Sequence, residues 1–277
     1  MMLNDEYLIP ILRRVLLEDI GTGDLSASVI PDQPVHGYFL AKRAGVISGI
    51  QIPALIYRLF EHEVTYQPLV KDADTVAAGT KIATVDGSAR DLLAAERVTL
   101  NLIQRMSGIA SATAKAVSTL DNAAVGILDT RKTVPGLRQL DKYAVSCGGG
   151  VNHRMGLYDS IMLKDNHWQL FGKLATAVKV LRQTAGPTKS IEVEVENENQ
   201  LQQAIDSQVD MILIDNQPPT TVADWCQRIP ANIKTEASGG IELANLPAYG
   251  QTGVDFISLG YLTNSVQALD ISFDLEV

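Results

Sequence analysis

After residue 120 the sequence alternates short apolar runs with helix-like stretches, and this rhythm limits the possible folds more than any other feature. Candidate strands lie at 125–129, 160–163, 190–195, 210–214, 233–236 and 255–259. Helical patterns at 170–183, 199–207, 220–228 and 243–249 separate several of them. Repeated β-α units of this size predict parallel strands with right-handed crossovers, in a barrel or an open sheet. No Gly-x-Gly-x-x-Gly follows the first strand, so a barrel is favoured over a dinucleotide-binding sheet.

The first half reads differently. Leu8, Ile11, Leu12, Val15 and Leu16 recur at helical spacing before the break at 21–24 (GTGD). Short strands are expected at 36–40 and 46–47, and a small antiparallel unit over 64–86. A long helix is predicted over 91–120, with Leu93, Val98, Leu102, Ile103, Met106 and Ile109 on its buried side. Gly108 is expected to bend or divide it.

Composition excludes several classes. At 277 residues, 46% hydrophobic and 20% charged, the chain can fill a sizeable core. No apolar run approaches the roughly 20 residues that span a bilayer. The opening MMLNDEYLIP has no basic region or small-residue cleavage site, so a cytoplasmic location is expected. Cys147 and Cys226 lack metal spacing and read as reduced, structural thiols. A net charge of −9 argues against a nucleic-acid surface. Yet between Arg131 and Lys164 six Lys/Arg face only two acids, Asp141 and Asp159. A cationic segment in an acidic chain suits a small polyanionic ligand, although a solvated basic face would look the same.

The polar residues fall where the strands end. The first candidate strand runs into Asp129, Thr130, Arg131 and Lys132, and the second into Lys164, Asp165, Asn166 and His167. The third carries Glu192, Glu194 and Glu196 on alternate positions, hence on one face. The fourth ends in Asp215 and Asn216, the fifth in Glu236, Ala237, Ser238, Gly239 and Gly240, and the sixth in Ser258, Leu259 and Gly260. β/α barrels build their active sites from C-terminal strand ends. Arg and Lys suit carboxylates and phosphates, and glycines let backbone N–H groups approach a phosphate. An acid from each of the third and fourth strands can hold Mg²⁺ and ribose hydroxyls. This composition points to a small anionic acid meeting a phosphorylated sugar.

The segments 129–138 (DTRKTVPGLR), 142–145 (KYAV), 148–157 (GGGVNHRMGL) and 163–167 (LKDNH) strongly resemble the quinolinate phosphoribosyltransferase family. In family order, 18–25 (EDIGTGDL), 96–101 (ERVTLN), 107–110 (SGIA), 191–196 (IEVEVE), 213–216 (LIDN), 236–241 (EASGGI) and 253–260 (GVDFISLG) extend the likeness. The resemblance implies an N-terminal open-faced α/β sandwich over 1–110 and an incomplete, seven-stranded α/β barrel over 111–269. The tail at 270–277 would return to the first domain. It implies the decarboxylating transfer of phosphoribose from phosphoribosyl pyrophosphate to quinolinate, giving nicotinate mononucleotide in NAD biosynthesis.

By similarity Arg131, His153, Arg154 and Lys164 would bind the quinolinate carboxylates. Arg97 would enter the neighbouring site of a homodimer or an assembly of dimers. Lys132 and Lys164 would serve the phosphoribosyl pyrophosphate side, and Glu194 and Asp215 the Mg²⁺ and ribose. Lys132, Lys164, Glu194 and Asp215 would form the catalytic set. Ser238, Gly239, Gly240 and Gly260 would cradle the 5′-phosphate, and Thr130 and Ser258 would also bind substrate. Asn264 stands where the resemblance implies His; it cannot carry a positive charge, so a weaker phosphate contact is expected there. The alternatives are a related molybdenum-operon protein of this fold, a nicotinate-type phosphoribosyltransferase and a non-catalytic phosphosugar-binding protein.

Overall fold

The computed structural model describes residues 3–276. In chain order its first elements are α1 (Asp5–Ile20), β1 (Pro34–Ala41), β2 (Gly45–Val46), α2 (Ile52–Tyr57), β3 (Thr65–Pro68), β4 (Thr75–Val76), β5 (Lys81–Ser88) and α3 (Ala89–Leu120). Then come β6 (Gly126–Leu128), α4 (Arg138–Cys147), β7 (Ile161–Leu163), α5 (Asp165–Phe171), α6 (Leu174–Ala185) and β8 (Ile191–Val195). The last are α7 (Glu198–Asp206), β9 (Met211–Asp215), α8 (Pro219–Arg228), β10 (Lys234–Ser238), α9 (Leu246–Gly250), β11 (Phe256–Ser258), α10 (Tyr261–Asn264) and β12 (Ile271–Glu276). Among the described residues no helix is long and apolar enough to cross a membrane.

The chain forms two units. The first joins Met1–Ala114, Thr133–Gly149 and Leu262–Val277. Its main sheet is antiparallel, in the order β12-β1-β5-β3, so the tail pairs with β1 from His36↔Glu276 to Ala41↔Ile271. α1 starts at Asn4, whose side chain accepts from the Glu6 N–H, and buries Leu8, Leu12 and Leu16. Each such leucine contributes about 1.5–3 kcal/mol by leaving water. In α3, Leu92 is fully buried and Leu93 only partly, while Val98, Leu102, Ile103, Met106 and Ile109 are buried as the periodicity predicts.

Gly108 does not divide α3, which runs unbroken for 32 residues. A Cβ at Gly108 would lie 2.2 Å from the Gln267 carbonyl oxygen, so glycine is there for a close backbone approach. α4 was not anticipated, since its sequence reads as part of a polar motif. Its apolar stripe of Leu140, Ala144 and Val145 is interrupted by two charged residues, Asp141 and Lys142, that are themselves buried. Both Asp141 carboxylate oxygens accept from Arg105 of α3 at 2.8 Å, a bidentate pair that fastens α4 to α3. Segments 133–149 and 262–269, assigned to the barrel from sequence, thus group with the first unit.

The second unit, Lys115–Lys132 with Gly150–Tyr261, is the barrel. Six parallel strands pair in the order β6-β11-β10-β9-β8-β7, and Val151 bridges Leu128 on the far side of β6 as a rudimentary seventh. Around the barrel the order follows the chain, with the break between Val151 and β7. Alternate positions face opposite ways. Ile127, Leu163, Val193, Val195, Ile212, Ile214, Ala237 and Ile257 are buried on one face. The other parity carries Leu128, Met162, Glu192, Glu194, Leu213, Glu236 and Ser258, and this is the cavity side. The helix expected at 170–183 is split into α5 and α6 at Gly172, whose φ of +75° ends the first. Lys164–Asn166 therefore opens a helix as well as closing a strand.

At the strand starts, aspartates staple neighbours together. The Asp210 carboxylate accepts from the Ile191 N–H at 2.6 Å and pairs with Arg182 at 2.7 Å. The Asp255 carboxylate accepts from the Thr235 N–H at 2.9 Å and pairs with Lys234 at 2.8 Å.

Candidate active site

The C-terminal strand ends surround a cavity of about 380 Å³. Thr130, Arg131 and Lys132 enter it after β6, His153 and Arg154 after the Val151 bridge, and Met162 and Lys164 from β7. Leu213, Glu236, Ser238 and Ser258 complete the lining from β9, β10 and β11. Eight residues singled out from sequence thus share one cavity: Thr130, Arg131, Lys132, His153, Arg154, Lys164, Ser238 and Ser258. Local bonds aim the cations. The Lys132 N–H donates to Thr130 Oγ1 at 3.0 Å, and the Lys164 N–H to His167 Nδ1 at 2.9 Å. Arg154 Nη1 donates to the Ser160 carbonyl at 3.1 Å. Burial and then the neighbouring Arg131 charge lower the Arg154 pKa, the situation that a bound anion relieves.

The segment bearing His153 and Arg154 is held by Asp129, a fully buried carboxylate at the end of β6. Its oxygens accept from the His153 N–H at 2.8 Å and the Asn152 side-chain amide at 2.6 Å. His153 Nε2 lies 3.0 Å from Glu192 and 3.3 Å from Glu236. Burial lowers the His153 pKa while Glu192 and Glu236 raise it, but a second ring proton would have to sit on Nδ1, which already accepts the Arg154 N–H at 2.7 Å. Burial raises the Glu192 pKa to about 7. The Arg154 N–H donates to His153 Nδ1 at 2.7 Å, so the imidazole proton sits on Nε2.

A second constellation lies at the ends of β8 and β9. Glu194, Glu196 and Asp215 each bring a carboxylate oxygen within 4.8 Å of the others, three hard donors of the kind Mg²⁺ takes. The Lys164 ammonium pairs with the largely buried Glu194. Glu196 was not selected from sequence, although its place on the alternating face of β8 was the available signal. After β10, Gly239 and Gly240 have φ of +89° and +63°, and a Cβ on Gly239 would meet the Asn216 side chain at 2.2 Å. Gly260 follows β11, half-buried. Neither glycine pair member, nor Glu194, Asp215 or Gly260, is among the residues lining the 380 Å³ cavity. Arg97 belongs to the first unit; its exposed side chain pairs with Glu96 at 3.0 Å.

Glu192 and Glu236 were noted on strands but given no role from sequence. A further cavity of about 430 Å³ lies toward the strand starts, at Ser190, Met211 and Phe256, and shares His153 and Arg154. Acids (Asp159 and Glu192) offset its cations, so it lacks the anion-binding character of the first. Both cysteines are partly buried free thiols whose pKa burial raises, to about 11 for Cys226, which does not suit a nucleophile.

The family models for the N-terminal and C-terminal domains of quinolinate phosphoribosyl transferase match residues 19–107 and 109–274. A probable nicotinate-nucleotide pyrophosphorylase [carboxylating] of Bacillus subtilis is 50% identical over 274 residues, covering 99% of this chain and 95% of its own. The nicotinate-nucleotide pyrophosphorylase [carboxylating] of Mycobacterium leprae is 40% identical, covering 95% of each chain. The crystal structure of NadC from Streptococcus pyogenes superposes with a TM-score of 0.95 at 36% identity, over 100% of this chain and 99% of that one. With both domain models matched in order and relatives alike over nearly their whole length, the chain belongs to the quinolinate phosphoribosyltransferase family.

Proposed function

We propose that this chain transfers the phosphoribosyl group of phosphoribosyl pyrophosphate to the ring nitrogen of quinolinate, with loss of CO₂, to give nicotinate mononucleotide and pyrophosphate. The observation that carries this reading is the cavity bounded by Arg131, Lys132, Arg154 and Lys164, four cations from three neighbouring stretches of one barrel. Two adjacent carboxylates on a ring suit this arrangement better than one. The names of the relatives support the same reaction, and neither a molybdenum-operon role nor a purely binding role is favoured by them.

In this reading Arg131, Arg154 and Lys164 grip the two carboxylates and orient the ring nitrogen toward the ribose carbon, while His153, whose ring nitrogens both face protein groups, supports Arg154 from behind. Lys132 and Lys164 face the pyrophosphate, and Ser238, Gly239, Gly240 and Gly260 take the 5′-phosphate on backbone N–H groups. Glu194 and Asp215 offset positive charge that develops on the ribose as pyrophosphate departs, an effect of about 3 kcal/mol in comparable sites. The same acids, joined by Glu196, would hold Mg²⁺, which neutralises the leaving pyrophosphate when bound. Once the nitrogen is alkylated, the adjacent carboxylate leaves as CO₂, its bonding pair stays on the ring carbon beside the cationic nitrogen, and that carbon takes a proton from water, so no side-chain nucleophile is needed.

The protein is proposed to act in the cytoplasm as a homodimer or an assembly of dimers, with Arg97 completing the partner's site. Purified protein given quinolinate, phosphoribosyl pyrophosphate and Mg²⁺ is expected to release CO₂ and nicotinate mononucleotide in equal amounts. Absence of both products from folded protein would overturn the reading.

A further inference from the structure

Four polar side chains meet inside the barrel: His153, Glu236 of β10 and Ser258 of β11, which line the cation-bearing cavity, and Glu192 of β8 behind them. Glu192, Glu236 and Ser258 are 3%, 1% and 6% exposed. Ser258 Oγ donates to Glu236 Oε1 at 2.5 Å, and the other Glu236 oxygen and Glu192 Oε2 face His153 Nε2 at 3.3 and 3.0 Å. On the opposite edge of the ring, Nδ1 accepts the backbone N–H of Arg154 at 2.7 Å.

Two carboxylates buried against one imidazole make a poor stabilising device, because apolar residues of similar volume usually do as well or better. The arrangement is better suited to orientation. With the Nδ1 edge accepting, the imidazole proton sits on Nε2, within ion-pair range of both carboxylates and not aligned in a hydrogen bond to either, and turning the ring over would set Cδ2 against the Arg154 N–H and Cε1 against the carboxylates. The ring therefore has one orientation and one tautomer. Its Nδ1 edge in turn holds the backbone from which the Arg154 guanidinium reaches the cavity.

We propose that Glu192 and Glu236 are positioning residues of the dicarboxylate site, acting through the His153 ring on Arg154, and that Ser258 belongs to this assembly by anchoring Glu236. Ser258, for which the family resemblance implies only a substrate-binding place, thereby serves the acid end of the substrate pair. The inference rests on the proposed transferase reading and deepens it.

The test compares Glu192→Gln, Glu236→Gln and Ser258→Ala in the full-length enzyme, each also combined with His153→Ala. Glutamine keeps the shape and places an amide against the ring. Each glutamate variant is expected to raise KM for quinolinate about tenfold, the scale of one lost charged hydrogen bond, and to leave KM for phosphoribosyl pyrophosphate within about twofold. Ser258→Ala should raise the same constant by a smaller factor. In the His153→Ala background the three changes should have no further effect on quinolinate, since residues acting through one ring are not additive.

Nitrogen NMR of histidine-labelled protein reads the mechanism without substrate. The His153 Nδ1 signal should be that of an unprotonated nitrogen in the parent and a tautomer mixture in the glutamine variants. Equal rises in both KM values, additivity with His153→Ala, or an unchanged His153 spectrum in Glu236→Gln would each overturn the proposal. Absence of turnover in the parent would instead sink the transferase reading, with the NMR comparison still deciding the positioning role.

Discussion

The Lys164 ammonium at the end of β7 pairs with the Glu194 carboxylate of β8, a half-exposed cation on a largely buried acid. The pair joins the two clusters of the site, because Lys164 lines the anion cavity while Glu194 belongs to the acidic group with Glu196 and Asp215. Replacing Glu194 by Gln frees the lysine and removes the charge that would offset a cationic ribose. A loss of about 10²–10³ in kcat is expected, with a smaller change in either KM, as for other groups that act mainly on the transition state. Steady-state kinetics at saturating substrates checks it.

Arg154→Lys keeps the charge and loses the fork. Lysine cannot make two parallel bonds to a carboxylate or reproduce the bond from Nη1 to the Ser160 carbonyl. KM for quinolinate should rise by roughly tenfold or more, the scale of one charged hydrogen bond. If Arg154→Lys matches the parent enzyme at low quinolinate, the bidentate role is wrong.

Gly108→Ala sets helix propensity against packing. Alanine would favour a helix interior by about 1 kcal/mol, but its Cβ would lie 2.2 Å from the Gln267 carbonyl oxygen. Packing should win, with a net loss of about 1–3 kcal/mol as for other overpacked sites. Urea unfolding gives the sign; a more stable variant would mean that the chain at 267–268 yields easily.

The aspartate staples give an acid limit to barrel stability. Burial opposes charge at Asp255, but bonds from Lys234 and Thr235 outweigh it and hold its carboxyl below the usual carboxylate range; Asp210 is likewise lowered, by Arg182 and the Ile191 N–H. A depressed folded pKa stabilises above the unfolded value of about 4 and stops doing so as pH falls through the folded value. Both groups are partly exposed, so solvent screening limits each to about 1 kcal/mol. Asp255→Asn should lower Tm by a few degrees at pH 7, and the difference should shrink on titration toward pH 3. A gap that stays constant with pH would remove the charge from the explanation.

The proposed sharing of a site between two subunits makes an assembly-level prediction. Mixing Arg97→Ala with Lys164→Ala protein should restore up to about a quarter of parental activity after full subunit exchange: half the dimers are hybrids and each holds one intact site. No recovery, with exchange verified by mass spectrometry, would count against Arg97 acting in trans.

Local chemistry made much of this protein legible from its residues. The two-residue period of a strand is a property of the backbone, so 191–196 (IEVEVE) alone puts Glu192, Glu194 and Glu196 on one face, and the β-α rhythm places the polar strand ends at one rim. The same local rules failed where the decisive partner is distant. Gly108 looks like a helix breaker until Gln267 lies against it, and α4 looks too polar until Arg105 meets Asp141. Periodicity could not divide the labour among three alternating glutamates either. Curvature and strand register bring Glu192 to His153 while Glu194 and Glu196 meet Asp215, because the neighbours of an inward side chain come from strands tens of residues away.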